Sequence, residues 1–197
     1  MGVIGLTGGI ASGKTLASDC LRQLGADIID TDLITRELYA PGSGLLKKIE
    51  KAFGLEFILA DGNLDRRRLR EKVFPDAHEL KKLNEIVHPA IKEATAARVF
   101  ASPKQHQVIV VPLLIEAGYT ALCDEIWVMY VDEAEQKKRL LKRDGVTPAL
   151  AETMIKRQLP FDEKAKYAQR VIDNTGNPQK TKKQIKRAYR KFKKNNY

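Results

Sequence analysis

Residues Gly8–Thr15 constrain the fold of this chain most, because they read Gly-Gly-Ile-Ala-Ser-Gly-Lys-Thr. The spacing is G-x-x-x-x-G-K-[ST], in which a glycine-rich loop between a strand and a helix turns backbone N–H groups towards phosphate oxygens. The apolar run 3–6 is typical of the buried strand that should precede the loop. Behind the loop, four apolar side chains recur at helical spacing: Leu16, Cys20, Leu21 and Leu24. We therefore expect a strand, a phosphate-binding loop and a helix.

Two side chains of this loop carry chemistry. Lys14 is expected to reach the β- and γ-phosphates of a nucleoside triphosphate, and the Thr15 hydroxyl to hold Mg²⁺. The start of the helix adds the positive end of its dipole. The expected nucleotide-binding set is Gly8, Gly9, Ile10, Ala11, Ser12, Gly13, Lys14, Thr15 and Leu16. A glycine-rich turn that binds no ligand is the alternative, and the agreement of the motif with its flanks argues against it.

The charge of the chain is concentrated at one end. The formal net charge of the 197 residues is +10, yet no acidic residue follows Asp173, whereas nine Lys and Arg residues do. The remainder is therefore nearly neutral, and the overall charge does not by itself indicate a nucleic-acid-binding protein. In this tail Ile185, Tyr189 and Phe192 recur at helical spacing, which predicts a terminal helix with its lysines outside. An auxiliary contact with RNA or an acidic surface stays open.

The sequence does not indicate a membrane protein or a protein built around disulfides. No apolar stretch approaches the ~20 residues that a membrane helix needs, and Cys20 and Cys123 lack the spacing of a metal site or a disulfide framework. We expect a cytoplasmic protein that is a monomer or a weak oligomer.

A carboxylate follows the second predicted strand, Ala26–Asp30. Ligands of open α/β sheets bind at the carboxyl ends of the strands, so Asp32 should lie at the same edge as the phosphate loop. There it could accept a proton from an attacking hydroxyl or help to hold Mg²⁺. The alternative is an N-cap of the helix predicted over Leu33–Tyr39.

The segment 33–102 shows helical patterns and no convincing strand. Asp65 should cap a short arginine-rich helix, and a longer helix is predicted over Ala77–Phe100. His88 precedes Pro89, which disfavours the α conformation, so a helix break is expected there unless His88 contacts a ligand. By analogy, small-molecule kinases carry an acceptor-binding lobe at this place in the chain.

Three more strands complete a predicted five-stranded parallel sheet: Gln107–Pro112, Glu125–Val131 and Val171–Asn174. The first delivers Glu116, which could contact metal or acceptor or be an ordinary loop acid. After the second, Asp132 should cap a helix that carries Gln136, Arg139 and Arg143 on one stripe. The loop 144–148 then leads into another helix, as in a lid that closes over a triphosphate.

An ordered set of motifs resembles one family, the dephospho-CoA kinases. The motifs are the run 5–15, Ile29-Asp30-Thr31-Asp32, Pro41-Gly42, His88-Pro89, Val111-Pro112-Leu113-Leu114-Ile115-Glu116, Gln136 with Arg139 and Arg143, Gln158, and Val171-Ile172-Asp173-Asn174. Three positions depart from the family pattern, namely Asn84, Met154 and Gln169. None of them lies in the phosphate loop or at Asp32.

The resemblance implies a P-loop NTPase fold with three α/β/α layers. The nucleotide-binding core would comprise 1–32 and 103–197, with a lid at about 143–158 and a helical acceptor lobe at 33–102. It also implies transfer of the γ-phosphoryl group of ATP to the ribose 3′-hydroxyl of dephospho-CoA. Asp32, Lys14 and Arg143 would be catalytic, and Arg139 would bind the nucleotide. The implied substrate-binding set is Thr7, Asp32, Arg36, His88 and Glu116.

Three other functions are each compatible with part of the sequence. A nucleoside monophosphate kinase would share the core but not the His88-Pro89 pair or the strand end at Glu116. A GTP-hydrolysing switch would need a guanine-reading motif that we do not find in the sequence, and it would have no use for the helical lobe. An RNA-binding protein would owe its affinity to the basic tail and would show a strong salt dependence.

Overall fold

A computed structural model describes residues 2–196, which form two compact units. One unit runs to Asp30 and resumes at Val99, and the other is Thr31–Arg98. The second unit is thus an insertion between the second and third strands. None of the helices in residues 2–196 has the length and apolar character needed to cross a membrane.

The first unit contains a five-stranded sheet in the order β2-β3-β1-β4-β5, and every neighbouring pair is parallel. The strands are β1 Gly2–Gly8, β2 Asp27–Asp30, β3 His106–Val110, β4 Glu125–Tyr130 and β5 Arg170–Asp173. The expected α/β class and five-stranded parallel sheet are confirmed. Since β1 is central and the strands are parallel, the phosphate loop follows β1 at the carboxyl edge of the sheet.

Five helices belong to this unit: α1 Lys14–Gln23, α6 Glu133–Asp144, α7 Pro148–Lys156, α8 Phe161–Ala165 and α9 Pro178–Asn195. The expected cap is present, because Asp132 accepts a hydrogen bond from the Glu135 N–H at the start of α6. At the other end Gly145 has φ +64°, a left-handed conformation that stops α6. Thr147 then caps α7.

The core of this unit lies between the sheet and helices α1 and α9. Alternate residues of β1 and β4, among them Ile4, Leu6 and Trp127, meet the buried face of α9. That face contains Ile185, Tyr189 and Phe192, as the sequence predicts. The buried face of α1 differs from the expected one: Ala17, Ser18, Cys20 and Leu21 are buried, whereas Leu16 and Leu24 are only partly so. The close approach of α1 to the sheet favours small side chains at its centre.

The second unit is helical: α2 Thr31–Leu38, α3 Gly44–Phe53, α4 Arg66–Val73 and α5 Ala77–Ala101, the last of which ends in the first unit. No strand occurs in its described residues, only an isolated bridge between Ile58 and Leu64. The predicted cap at Asp65 is present, since its carboxylate accepts the Arg68 N–H.

The predicted helix break at His88 is wrong. Helix α5 continues through Pro89 over its whole length. Val87 is buried in the core of this unit, and Ile86, Ala90 and Ile91 pack against that core. This packing on both sides of the proline outweighs the hydrogen bond lost at its nitrogen.

Candidate active site

Side chains hold the carbonyl groups of the phosphate loop in place. Five consecutive loop oxygens, from Gly8 to Ser12, accept hydrogen bonds from four side chains. The donors are Lys14 Nζ for Gly8 and Gly9 (3.0 Å each), Gln136 Nε2 for Ile10 (3.2 Å), Arg139 Nη1 for Ala11 (3.5 Å) and Asn174 Nδ2 for Ser12 (2.9 Å). With its acceptors bonded to protein donors, the loop suits a ligand that needs N–H groups, which is an anion.

Two loop glycines make room for these amide side chains. A β-carbon at Gly9 would overlap Gln136 Nε2, and one at Gly13 would overlap Asn174 Nδ2. Gly13 also has φ +93°, which other residues rarely adopt. The glycines of the motif therefore serve the side chains outside the loop as well as the approach of phosphate.

The peptide groups of Ile10 are held on both sides. Its carbonyl accepts from Gln136, and its N–H donates to Gln158 Oε1 at 2.7 Å. Ala11 follows with φ +58°, and it is the one residue other than glycine with a positive φ within 2–196. A left-handed alanine costs about 1–2 kcal/mol, so its neighbours must stabilise this turn.

Asn174 joins the end of β5 to the loop. Its Oδ1 accepts from the Thr181 hydroxyl of α9 at 3.0 Å, which leaves Nδ2 to donate to Ser12 O. Its own carbonyl accepts from Arg139 Nη2 at 2.8 Å. The α9 helix is thus connected to the phosphate loop through a single buried asparagine.

A cavity of about 660 Å³ opens on this loop. Its lining consists of Ala11, Ser12, Gly13, Lys14, Thr15, Leu16, Arg139, Lys142, Arg143, Asn174 and Pro178. Eight of these were predicted site residues, so the structure brings most of the expected nucleotide-binding set together. The four cationic side chains make the cavity suited to a polyphosphate.

The two predicted arginines of α6, one near its middle and one in its last turn, have different surroundings. Arg139 is largely buried and also pairs with Glu135, whereas Arg143 pairs with the adjacent Asp144 at 2.7 and 2.8 Å. The hydrogen bonds from Arg143 lower the pKa of the Asp144 carboxyl, and the same bonds raise the pKa of Arg143. Arg143 therefore stays charged beside the cavity.

Glu116 has protein partners. One of its carboxylate oxygens lies 3.2 Å from Lys164 Nζ and accepts the Leu159 N–H at 3.2 Å. Lys164 is only 1% exposed, and its ammonium makes no hydrogen bond of good geometry. The loop acid that could have contacted a ligand thus balances a buried positive charge.

Thr7, an expected substrate-binding residue, is fully buried. Its hydroxyl donates to the Pro112 carbonyl at 3.2 Å and so ties β1 to the turn after β3. This bond gives Thr7 a structural role, and its expected contact with substrate stays a prediction.

The other predicted acceptor residues lie in the second unit. Asp32 and Arg36 are exposed one turn apart on α2, so they share a face of that helix. The alternative that Asp32 is an N-cap is wrong, since α2 begins at Thr31 and Asp32 lies in its first turn. His88 is exposed on α5 beside Leu80 and Asn84.

The donors present fit Mg²⁺ held jointly by protein and phosphates. Thr15 is exposed in the first turn of α1 and lines the cationic cavity. No group of three His, Cys, Asp or Glu side chains able to hold a metal is found among residues 2–196. Mg²⁺ usually takes few protein ligands and completes its shell with phosphate and water, so the Thr15 hydroxyl is a suitable ligand for it.

Gln136, Gln158, Lys164 and Asn174 contribute to the site without having been given a role from the sequence. Gln136, Gln158 and Asn174 belong to the motifs quoted above, which was the available signal. Lys164 lies in a short segment without a motif, and only its burial marks it. Their contacts span 148 residues for Gln158 and 162 for Asn174, distances along the chain that local patterns do not report.

Comparison with known proteins gives a consistent result. Residues 2–180 match the model of the family described as dephospho-CoA kinase. The dephospho-CoA kinase of Geobacter metallireducens is 44% identical over 93% of this chain and 92% of its own. That of Geobacter sulfurreducens is 42% identical over 97% and 98%.

A solved structure of the same name also resembles the chain. The dephospho-CoA kinase of Campylobacter jejuni superposes with a TM-score of 0.74 and is 25% identical, covering 99% of this chain and 98% of that one. The likeness in sequence and in fold therefore extends over both units of the chain.

Proposed function

We propose a mechanism for this chain, which belongs to the dephospho-CoA kinase family and phosphorylates dephospho-CoA with ATP to give coenzyme A. The phosphoryl group passes by direct in-line transfer to the 3′-hydroxyl of the acceptor ribose. Phosphoryl transfer depends on positioning and on neutralisation of charge more than on covalent chemistry. The observation that carries the proposal is the phosphate loop, whose carbonyl groups are held by its own Lys14 and by Gln136, Arg139 and Asn174 from outside it.

The nucleotide half of the site comprises the loop and the α6 arginines. The loop N–H groups and Lys14 bind the β- and γ-phosphates, Arg139 fixes the loop, and Arg143 stabilises charge on the transferred group. Thr15 would hold Mg²⁺, which neutralises charge on the β- and γ-phosphates when it is bound.

The acceptor half comprises Asp32 and the second unit. Asp32 orients the ribose hydroxyl and takes its proton as the new bond forms. Arg36 shares a helix face with Asp32 and would bind a phosphate of the acceptor, and His88 would contact the acceptor from α5. The lobe role of the second unit, the lid, a monomeric or weakly associated state and a cytoplasmic location remain predictions.

A coupled assay of ADP release tests the proposal. The wild-type protein with ATP should turn over with dephospho-CoA and not with AMP. Asp32→Asn keeps the shape of the side chain and removes the base, so turnover should fall by roughly 10²–10⁴-fold. ATP binding, measured by calorimetry, should barely change.

Two results would overturn parts of this picture. Near-normal turnover of Asp32→Asn would remove Asp32 as the base. Product phosphorylated elsewhere than at the 3′-hydroxyl, as read by ³¹P NMR, would remove the assigned acceptor atom.

A further inference from the structure

We propose that Gln158 is a positioning residue that ties the base of helix α7 to the phosphate loop, and that Glu116 with the buried Lys164 anchors this base. The inference rests on the proposed function, because it treats α7 as the lid over the nucleotide. Gln158 lies between α7 and α8, in a segment that follows Lys156 and ends before Phe161.

The contact of Gln158 falls on the strained part of the loop. Its Oε1 accepts the Ile10 N–H at 2.7 Å, directly before Ala11 with its φ of +58°. Gln136 donates a hydrogen bond to the carbonyl of Ile10. The two glutamines thus bond to this residue from α6 and from the segment after the C-terminal end of α7. A displacement of α7 would pull on Ile10 and on the adjacent turn at Ala11, which lines the cationic cavity.

The next residue along the chain is held by a second, independent contact. The Leu159 N–H donates to Glu116 Oε1 at 3.2 Å, and Glu116 follows β3. Lys164 is 1% exposed and lies 3.2 Å from the same oxygen. Because a buried ammonium without a counter-charge is strongly unfavourable, the pair keeps Glu116 in place. Gln158 is thereby held by the loop after β1, and Leu159 is held by Glu116 in the turn after β3.

Loss of the Gln158 contact should weaken the binding and use of ATP and leave the binding of the acceptor unchanged. An apolar side chain at position 158 would free the Ile10 N–H and loosen the loop, while the acceptor-binding residues proposed on α2 and α5 are unchanged. Loss of one neutral hydrogen bond corresponds to about 3- to 10-fold, and misplacement of the reacting group adds to this.

A matched control exists in the same unit. Gln169 Oε1 accepts the Ile126 N–H at 2.6 Å, which is the same type of bond on the sheet and away from the phosphate loop. Gln158→Met and Gln169→Met therefore remove equivalent bonds. Both should lower the unfolding temperature to a similar extent, and only one should change the kinetics.

The experiment measures the ATP dissociation constant, kcat and both KM values for the wild type and the two variants. For Gln158→Met we expect kcat/KM for ATP to fall roughly tenfold and KM for dephospho-CoA to stay within twofold. Gln169→Met should match the wild type in all kinetic constants. Gln158→Met within twofold of the wild type in kcat/KM for ATP and in ATP affinity, or an equal loss in Gln169→Met, would overturn the positioning role.

The anchor is tested by a double-mutant cycle. Glu116→Gln keeps an acceptor for Leu159 but leaves Lys164 without a counter-charge, so both stability and kcat should fall. Adding Lys164→Met removes the isolated charge and should restore most of both. A double variant no better than Glu116→Gln in either measurement contradicts the anchor. If the wild type binds ATP but does not use dephospho-CoA, the proposed function fails, whereas the ATP affinity of Gln158→Met still decides the positioning role.

Discussion

The two arginines that helix α6 directs towards the phosphate loop and its cavity, Arg139 and Arg143, have opposite surroundings. Near its middle, Arg139 bonds to the Ala11 and Asn174 carbonyls, and its side chain is 27% exposed. In the last turn, Arg143 bonds only to Asp144 beside it in the described contacts, and its side chain is 60% exposed. The same residue type on one stripe is thus bonded into the phosphate loop at Arg139 and lies beside the cavity at Arg143.

This difference in surroundings indicates that the two arginines contribute to the site in different ways. Arg139 fixes the loop before any nucleotide is present, so its contribution belongs to the shape of the site and to stability. Arg143 contributes little to stability, because exposed ion pairs contribute about 0–1 kcal/mol. We propose that its contribution comes from the bound triphosphate, which requires Arg143 to turn from Asp144.

Replacement of Arg143 should have the largest effect on turnover. Arg143→Met removes a charge that we assign to the transition state, so kcat should fall by roughly 10²–10³-fold. The unfolding temperature should not change. Arg22→Met is the matched control, since Arg22 is similarly exposed and pairs with nearby Asp19. A kcat for Arg143→Met equal to that of the control would contradict the role assigned to Arg143 in the transition state.

Replacement of Arg139 should act mainly on ATP binding and on stability. Arg139→Met loses charged hydrogen bonds, each contributing about 1.5–3 kcal/mol, so ATP affinity should fall on the order of tenfold and the midpoint of urea unfolding should decrease. Arg170→Met is the control, because Arg170 is comparably buried and pairs with Glu125 on the sheet. That variant should lose stability and keep its ATP affinity; unchanged affinity in Arg139→Met would contradict the division of roles.

The smallest expected effect is a change in the pKa of the Asp144 carboxyl. Its pKa is lowered by Arg143, so the pair stabilises the fold above the ordinary carboxyl value and is lost as the pH falls through the lowered one. Because that value lies below the ordinary 3.8, the pair persists at neutral pH. An NMR titration should find the pKa of Asp144 raised towards its ordinary value in Arg143→Met. The same direction is expected when a non-hydrolysable ATP analogue draws Arg143 away, and no shift with the analogue would mean that Arg143 stays on Asp144.

Much of this architecture could be predicted from local patterns. The glycine spacing and the β-branched runs predicted the sheet, and Asp65 and Asp132 predicted two helix starts, because each of these features acts within a few residues. The break at His88 was wrong because a local proline rule was outweighed by packing around Val87 and Ile91. The contacts of Gln158 and Asn174 with the phosphate loop could not be predicted from local patterns, since they join residues 148 and 162 positions apart in the sequence.

The position of the single tryptophan has an experimental consequence. Trp127 is fully buried in β4, with Arg170 over its ring and Glu125 bonded to its Nε1. The helical unit, Thr31–Arg98, contains no tryptophan. Intrinsic tryptophan fluorescence therefore monitors unfolding of the sheet alone, whereas circular dichroism at 222 nm also senses the inserted helices. A gap between the two melting curves would measure how independently the inserted unit unfolds.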